Sequence, residues 1–246
     1  MGKSGKPDSD RARKIAEMRA AQKRSERKRK FVFGGLVVVV VGVMGAGIGI
    51  GVANKGGGDK NKPDPAASAA PSGTGPEGIP LEAGTVLAGL EKAASGATVN
   101  GVSCDASEQV AYHIHTHLAI YVNGTLRPVP TGIGIVTPQI TQGPGGPFAA
   151  ASKCYYWLHT HTNDGIVHIE SPTPKTYTLG DFFAIWGQPL NANAVGSETG
   201  AVTAYVNGTK FTGDPATIPL GSRTAIQLDV GSDYPFQTVD WSKSQL

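Results

Sequence analysis

All six histidines of this 246-residue chain lie in two short stretches where polar and apolar residues alternate. The first stretch, residues 110–122, reads VAYHIHTHLAIYV and carries His113, His115 and His117. Because successive side chains of a β-strand point to opposite faces, these three imidazoles share one face. The other face carries Tyr112, Ile114, Leu118 and Ile120. The pattern therefore predicts a strand with a histidine side and an apolar core side.

The second stretch, residues 155–171, reads YYWLHTHTNDGIVHIES. Two runs of alternating residues flank Asp164-Gly165, a dipeptide that strongly favours a two-residue hairpin turn. One face of such a hairpin carries Tyr156, Leu158, Val167 and Ile169, and the other carries His159, His161, His168 and Glu170. The hairpin is therefore predicted to present three imidazoles and one carboxylate together.

The pairing across this hairpin depends on the length of its turn. A two-residue turn pairs His161 with His168 and places His159 opposite Glu170. A four-residue turn over residues 162–165 instead pairs His159 with His168 and keeps the same faces. Directly opposed residues have Cβ atoms about 4.5–5.5 Å apart, so either register keeps the rings close together.

Imidazole nitrogen is a preferred ligand of zinc, cupric and nickel ions. Two His-x-His pairs on neighbouring strands can offer three or four nitrogens at about 2.0–2.1 Å from one ion. We therefore predict a divalent metal site, with zinc or copper ahead of nickel. Its predicted ligands are His115, His117, His159 and His161.

The remaining polar residues of these faces are assigned a supporting role. His113 and His168 are predicted to complete a second site or to support the first, and Glu170 to hold the free ring N–H of a ligand histidine. Two other interpretations stay open for the whole cluster. It can be a structural layer of His/Glu hydrogen bonds, or a group of histidines that senses pH.

Cys104 and Cys154 are the two cysteines of the chain. Outside the cytoplasm such a pair most often forms a disulfide, which in the chain-entropy model adds about 4 kcal/mol for a loop of this length. Metal ligation by a thiolate is the rival role, but a regular strand places Cys154 on the face of Leu158, away from His159. We therefore predict a disulfide. With no thiolate, and with every methionine before residue 54, a cuprous or blue-copper site is disfavoured.

Residues 31–53 contain no charged side chain, and about 20 such apolar residues are enough to span a membrane as a helix. Residues 1–30 before them hold twelve Lys/Arg against four Asp/Glu. This asymmetry predicts a single-pass protein of the cell membrane, with its N-terminus cytoplasmic and its C-terminal part extracytoplasmic. A cleaved signal peptide is the alternative, although its apolar region is usually only about 7–15 residues long.

The charge of the chain is divided between its two ends. From residue 51 onward there are ten Lys/Arg against fifteen Asp/Glu, so the basic excess belongs to the N-terminal tail. Polybasic segments beside a membrane span are common for electrostatic reasons alone. We therefore predict contact of the tail with the membrane and no nucleic-acid partner.

Residues 54–80 are rich in Lys, Gly, Pro and Ala and are predicted to be a flexible linker. Residues 81–246 are predicted to be the extracytoplasmic domain. With 34 Gly and 17 Pro in the chain, this domain is expected to be all-β, a small β-sandwich or barrel-like fold with one or two short helices.

Several local signals refine this picture. Residues 81–95 have leucines at helical spacing and predict a short amphipathic helix. A capping box at Thr178 and Asp181 predicts a second helix, ended by Gly187. The Gly/Pro-rich residues 137–151 predict a loop. The sequence YVNGT, which occurs twice and contains Asn123-Gly124 and Asn207-Gly208, predicts two tight hairpins.

Two longer motifs carry a resemblance to other proteins. They are HIHTHLAIYVNG from His113, and CYYWLHTH from Cys154 followed by GIVHIE ending at Glu170. Over about residues 110–230 the chain resembles an uncharacterised family of bacterial membrane-anchored or secreted proteins. That resemblance implies no established activity.

These observations predict a membrane-anchored metal-binding protein for capture, buffering or delivery of zinc or cupric ion. A metal-dependent enzyme, either a zinc hydrolase or a copper redox enzyme, is the alternative, as is an accessory subunit of an envelope complex. No nucleophile triad, phosphate-binding loop or HExxH helix points to a particular reaction. Whether the protein is an enzyme therefore stays open at this stage.

Overall fold

The computed structural model describes residues 73–143 and 145–244, and the structural statements below refer to these residues. The predicted basic tail, the predicted transmembrane helix and most of the predicted linker lie outside them. Within the described ranges, no helix is both long enough and apolar enough to cross a membrane. The described residues belong to one compact unit, and Ile79, which lies in the predicted linker, is buried in it.

The described chain is built from thirteen strands and one α-helix, so the all-β prediction is confirmed. In chain order the strands are β1 (Cys104–Asp105), β2 (Tyr112–Val122), β3 (Thr125–Leu126), β4 (Ile135–Gly143), β5 (Gly146–Tyr156), β6 (Leu158–His159), β7 (Ile166–Ser171), β8 (Leu190–Asn191), β9 (Ala194–Val195), β10 (Glu198–Thr199), β11 (Val202–Val206), β12 (Thr209–Phe211) and β13 (Thr224–Val230). The helix, α1, is Leu179–Trp186, and two 3-10 turns lie at Pro215–Thr217 and Trp241–Lys243.

Seven strands form the main sheet, in the order β12-β11-β13-β2-β7-β6, with β3 added beside β2. Its neighbours are antiparallel except for β13 and β2, which run parallel. Two smaller sheets have the orders β1-β5-β4 and β10-β9-β8. Among the described strands, the end strands β12 and β6 are not paired with each other, so the main sheet is open. The finer prediction of a sandwich stays a prediction.

One face of the main sheet forms the hydrophobic core. Leu118 and Ile120 of β2 and Val167 and Ile169 of β7 are all completely buried there. These are the residues that alternation assigned to the apolar side, and burying each such side chain contributes about 1.5–3 kcal/mol. The histidines of both strands consequently point to the opposite face.

Helix α1 covers this core and has the ends predicted for it. The Thr178 hydroxyl accepts a hydrogen bond from the Asp181 N–H, and the Asp181 carboxylate accepts one from the Thr178 N–H. Gly187 ends the helix with a φ of 71°, a left-handed conformation that favours glycine. Its apolar residues Leu179, Phe182, Phe183, Ile185 and Trp186 are buried. This prediction is confirmed.

Both predicted Asn-Gly hairpins are also confirmed. Asn123 and Gly124 have φ values of 50° and 77°, and Asn207 and Gly208 have values of 50° and 80°. Positive φ at both central residues is the requirement of the type I′ turn, which Asn-Gly meets at low cost. The turns join β2 to β3 and β11 to β12.

The predicted helix at residues 81–95 is wrong, since this segment contains no helix. Its backbone groups find partners elsewhere: the Leu81 N–H donates to the Gly73 carbonyl, and the Leu87 N–H donates to the Pro128 carbonyl. Leu81 and Leu87 are nevertheless buried. The leucine pattern therefore correctly indicated buried residues. The backbone of this segment, however, forms hydrogen bonds with distant residues and not within a helix.

The predicted loop at residues 137–151 is also wrong, because β4 and β5 form a long hairpin there. Pro138 is tolerated because β4 is an edge strand. Proline lacks an N–H, and at the edge of a sheet no neighbouring strand needs that donor. The pairing also shifts register between Val136 and Pro138, as at a β-bulge. In this segment glycine and proline therefore indicate an edge strand with a β-bulge, and not a loop.

The predicted disulfide between Cys104 and Cys154 is confirmed, and it joins β1 to β5. Replacing both cysteines with serine is expected to lower the free energy of unfolding by about 2–4 kcal/mol, because the unfolded chain regains the freedom of the closed loop. Urea unfolding of the oxidised wild type and the double variant measures this loss. Ser152→Ala on the same strand, where the side chain is exposed, is the control. Equal stability of all three proteins would contradict the prediction.

Candidate metal centre

Strand β7 lies between the two other strands that carry histidines. On one side it pairs antiparallel with β2, where His115 faces His168 and His113 faces Glu170. On the other side it pairs with β6, where His159 faces His168. Alternation directs these side chains to the face opposite the core, so imidazoles from three adjacent strands converge there.

The pairing of His159 with His168 is the register of the four-residue turn. The two-residue-turn register, with His161 opposite His168, is wrong. Asp164 is buried, and its carboxylate accepts a hydrogen bond from the Ile166 N–H at 3.0 Å. Gly165 has a φ of 74°. The hydrogen bond of the Asp164 side chain therefore stabilises a four-residue turn, where the Asp164-Gly165 dipeptide by itself favours a two-residue one.

Four side chains form what we call the inner group: His159, His161, His168 and Glu170. Each offers one ligand atom, and these atoms all lie within 4.8 Å of one another. All four residues are buried, with exposed fractions of 5% or less. Burying polar groups is costly unless they are hydrogen-bonded, paired with charge or bound to a metal.

Two rings of the inner group are fixed by main-chain carbonyls. The Nδ1–H of His159 donates to the Tyr156 carbonyl and that of His161 donates to the Ala149 carbonyl, each at 2.8 Å. A carbonyl only accepts, so the proton of each ring must lie on Nδ1, and each neutral ring has a lone pair on Nε2.

These two Nε2 atoms lie 3.1 Å apart. Two lone pairs at this distance would repel, so the pair requires either a shared cation or a proton on Nε2 of His161, which also lies 3.1 Å from Glu108 Oε1. Ligands at 2.0–2.1 Å from a tetrahedral ion are about 3.3 Å apart, which is close to the spacing found here. The arrangement of His159 and His161 therefore fits a bound divalent ion.

Glu170 places a buried negative charge beside these rings. Its Oε1 lies 2.9 Å from His113 Nε2 and 3.4 Å from His168 Nδ1. Burial opposes its charge, but hydrogen bonds from His113 and His168 outweigh burial and hold the pKa of the Glu170 carboxyl below its usual range. Its Oε2 is buried and has no hydrogen-bond partner among the described residues. A cation would satisfy this oxygen.

A second set, which we call the outer group, consists of His113, His115 and His168. The Nε2 of His115 lies 3.1 Å from Nδ1 of His168. The side chain of His113 is 37% exposed, so this group reaches the solvent, whereas the inner group does not. The two groups share the ring of His168.

The protonation of the rings follows from burial and from nearby carboxylates. Burial lowers the pKa of His115 to about 3, and it also lowers the pKa values of His159 and His168. At His161 and His113 burial acts in the same direction, but hydrogen bonds to Glu108 and Glu170, respectively, raise their pKa values overall. Three of the rings are therefore neutral near pH 7, with a lone pair available to a metal.

His117, one of the predicted ligands, belongs to neither group. Its Nε2 lies 3.6 Å from Oε1 of Glu82, and burial lowers its pKa to about 4. Of the other predicted ligands, His159 and His161 are in the inner group and His115 is in the outer group. The ligand set itself stays a prediction, but the structure separates its four members.

Three carboxylates near the rings were missed by the sequence analysis. Glu108 Oε1 lies 3.1 Å from His161 Nε2, Glu77 Oε1 lies 3.9 Å from His168 Nε2, and Glu82 lies beside His117. All three lie in irregular segments before β2. No periodicity marks such residues, so only the fold reveals them.

The hairpin formed by β4 and β5 covers part of the site. It supplies the Ala149 carbonyl that holds His161, and the ring of Phe148 stacks on His161 with centroids 4.7 Å apart. Because this segment was predicted to be a loop, its contribution could not be expected. The cover explains why His161 is buried.

The fold and the site together define an all-β domain with a buried His/Glu group that can hold a metal ion. No protein-family model, curated protein or solved structure matches the chain. The resemblance of the histidine motifs to an uncharacterised family therefore gains no support from these comparisons. What the site does must be argued from its geometry.

Proposed function

We propose that this chain is a metal-binding protein that holds a zinc or cupric ion through His159, His161, His168 and Glu170. The observation that carries the proposal is the pair of Nε2 atoms of His159 and His161. The two atoms lie 3.1 Å apart, close to the spacing of neighbouring ligands on one ion, and both rings are fixed by carbonyls. A divalent ion would displace the proton that His161 Nε2 shares with Glu108 and form one coordinate bond to each ring.

The ligand chemistry supports the choice of metal. Three imidazoles and one carboxylate suit zinc, cupric and nickel ions, whereas cuprous ion prefers sulfur. Both cysteines are consumed by the disulfide, and no methionine occurs in the described ranges. A soft ligand is therefore absent from this part of the chain, which favours zinc or cupric ion.

Ligand number favours binding over catalysis. Four protein ligands complete a tetrahedral zinc site, whereas catalytic zinc usually has three protein ligands and an open position for water. The four residues of the inner group are also buried, which restricts the access of a substrate. Capture, buffering or delivery of the ion therefore fits this group better than hydrolysis or redox catalysis does.

We propose in addition that the domain is extracytoplasmic and anchored by residues 31–53, with the N-terminus in the cytoplasm. The uncharged run and the basic residues before it support this topology. The disulfide supports it too, since disulfides persist mainly in oxidising compartments. In this location the domain would bind metal ions outside the cytoplasm, before the ions cross the membrane.

The direct test is the zinc content of the purified 246-residue chain, prepared without a polyhistidine tag. After loading and removal of excess zinc, the His159→Ala/His161→Ala variant is expected to hold one equivalent less than the wild type. His117→Ala is the matched control and is expected to match the wild type, because His117 belongs to neither group. Circular dichroism checks that each variant is folded. Equal zinc in the wild type and the double variant would overturn the proposal.

A further inference from the structure

We infer that the protein binds a second divalent ion at the outer group, and that the two ions share the ring of His168. This inference rests on the proposed function, since the outer ion is a second ion only where the inner group holds the first. The outer group has its own three ligand atoms within 4.8 Å, supplied by His113, His115 and His168. Three imidazoles leave a coordination position open to water on the solvent side of the site.

The two nitrogens of His168 have different neighbours. Nδ1 lies 3.1 Å from His115 Nε2 and 3.4 Å from Glu170 Oε1, whereas Nε2 lies 3.9 Å from Glu77 Oε1. Nδ1 therefore faces His115 of the outer group, which leaves Nε2 for the inner ion. A neutral imidazole carries one N–H, so binding both ions releases that proton to solvent. The bridging ring then carries one negative charge as an imidazolate.

Carboxylates lie beside the rings of both groups. Glu77, Glu108 and Glu170 each place an oxygen within 3.9 Å of a ring nitrogen of the cluster. Their negative charge favours the binding of cations by these rings.

The burial of the two groups assigns them different roles. The side chain of His113 is 37% exposed, whereas every residue of the inner group is buried. The outer ion is therefore the one that exchanges with solvent and with chelators, and the inner ion is retained longer. In this arrangement the outer ion is exchangeable, and the inner ion stabilises the site.

The experiment is a zinc titration of the full-length chain, followed by measurement of bound zinc after removal of excess ion. The wild type is expected to hold two equivalents, and the variants His113→Ala/His115→Ala and His159→Ala/His161→Ala one equivalent each. His117→Ala is expected to hold two. Loading with Cu²⁺ gives a second readout: two cupric ions joined by an imidazolate couple magnetically, so the wild type has less paramagnetic signal per copper than His113→Ala/His115→Ala.

Each outcome decides between the two proposals. One equivalent in the wild type, unchanged in His113→Ala/His115→Ala, overturns the second ion and leaves the proposed function standing. Wild-type zinc content in His159→Ala/His161→Ala overturns the inner site itself. Two equivalents in the wild type with an undiminished copper signal overturn the shared ring. The wild-type zinc content and copper signal do not depend on whether any variant folds.

Discussion

Saturating zinc is expected to raise the free energy of unfolding by about 4 kcal/mol when the free ion exceeds its dissociation constant 1,000-fold. The gain arises because the fold brings together ligands from β6, the adjoining turn and β7, whereas the unfolded chain holds them apart. Urea unfolding with and without zinc measures the effect. The His159→Ala/His161→Ala variant lacks two inner ligands and is expected to gain less from zinc than the wild type.

This stabilisation depends on pH in a defined direction. Protons compete with the metal for ring nitrogens, so metal binding releases protons and weakens as the pH falls. The pKa of His161 is raised, against the effect of burial, by its hydrogen bond to Glu108, so its proton competes at a higher pH than an ordinary histidine allows. The zinc-dependent gain is therefore expected to decline from pH 8 towards pH 5. A gain that grows on acidification would contradict coordination by these rings.

The second large effect is expected at Glu82, away from the metal groups, in the metal-free protein. Burial, reinforced by the charge of Asp164, raises the pKa of the Glu82 carboxyl from 4.5 to about 8. Between these two values the folded protein keeps a proton that the unfolded chain has lost. The stability contributed by this group is thus fully present below pH 4.5 and is lost as the pH rises through 8, at about 1.4 kcal/mol per pH unit.

Glu82→Gln removes this titration and keeps the shape of the side chain. The variant is expected to be more stable than the wild type at pH 9, and its advantage is expected to shrink or reverse at pH 5. Urea unfolding at the two pH values, with chelator present, measures the difference. Glu91→Gln, at an exposed glutamate, controls for the change in net charge. The same difference between Glu82→Gln and wild type at both pH values would rule out the protonated carboxyl.

Alternation was enough to predict which residues share a face. Side chains two apart on β2 and β7 lie where the period of a strand requires, with Leu118 and Val167 in the core and His115 and His168 on the other side. Local chemistry was also sufficient at the helix cap of Thr178, since a capping box involves only neighbouring residues. Such features depend on short stretches of sequence and need no knowledge of the fold.

The rest of the site depends on contacts between distant segments. The parallel pairing of β13 with β2 places residues about 100 positions apart side by side, and no local pattern encodes such a pair. Glu77 and Glu108 reach the rings from irregular segments, and no local sequence pattern predicts these contacts either. His117 shares the histidine face of β2, yet it lies opposite Ile166, beyond the end of the cluster. A shared face is therefore necessary for coordination but does not determine how far along a strand the ligands extend.

The carbonyls that hold His159 and His161 also bear on the empty protein. Neither ring can swing away without breaking a hydrogen bond to the backbone, so the proposed ion would leave both rings in place on its departure. Refilling then requires little ordering of side chains, and a preorganised receptor of this kind gives up less entropy on capture. On the proposed function, the protein would therefore exchange its ion without rearranging the backbone around these two rings.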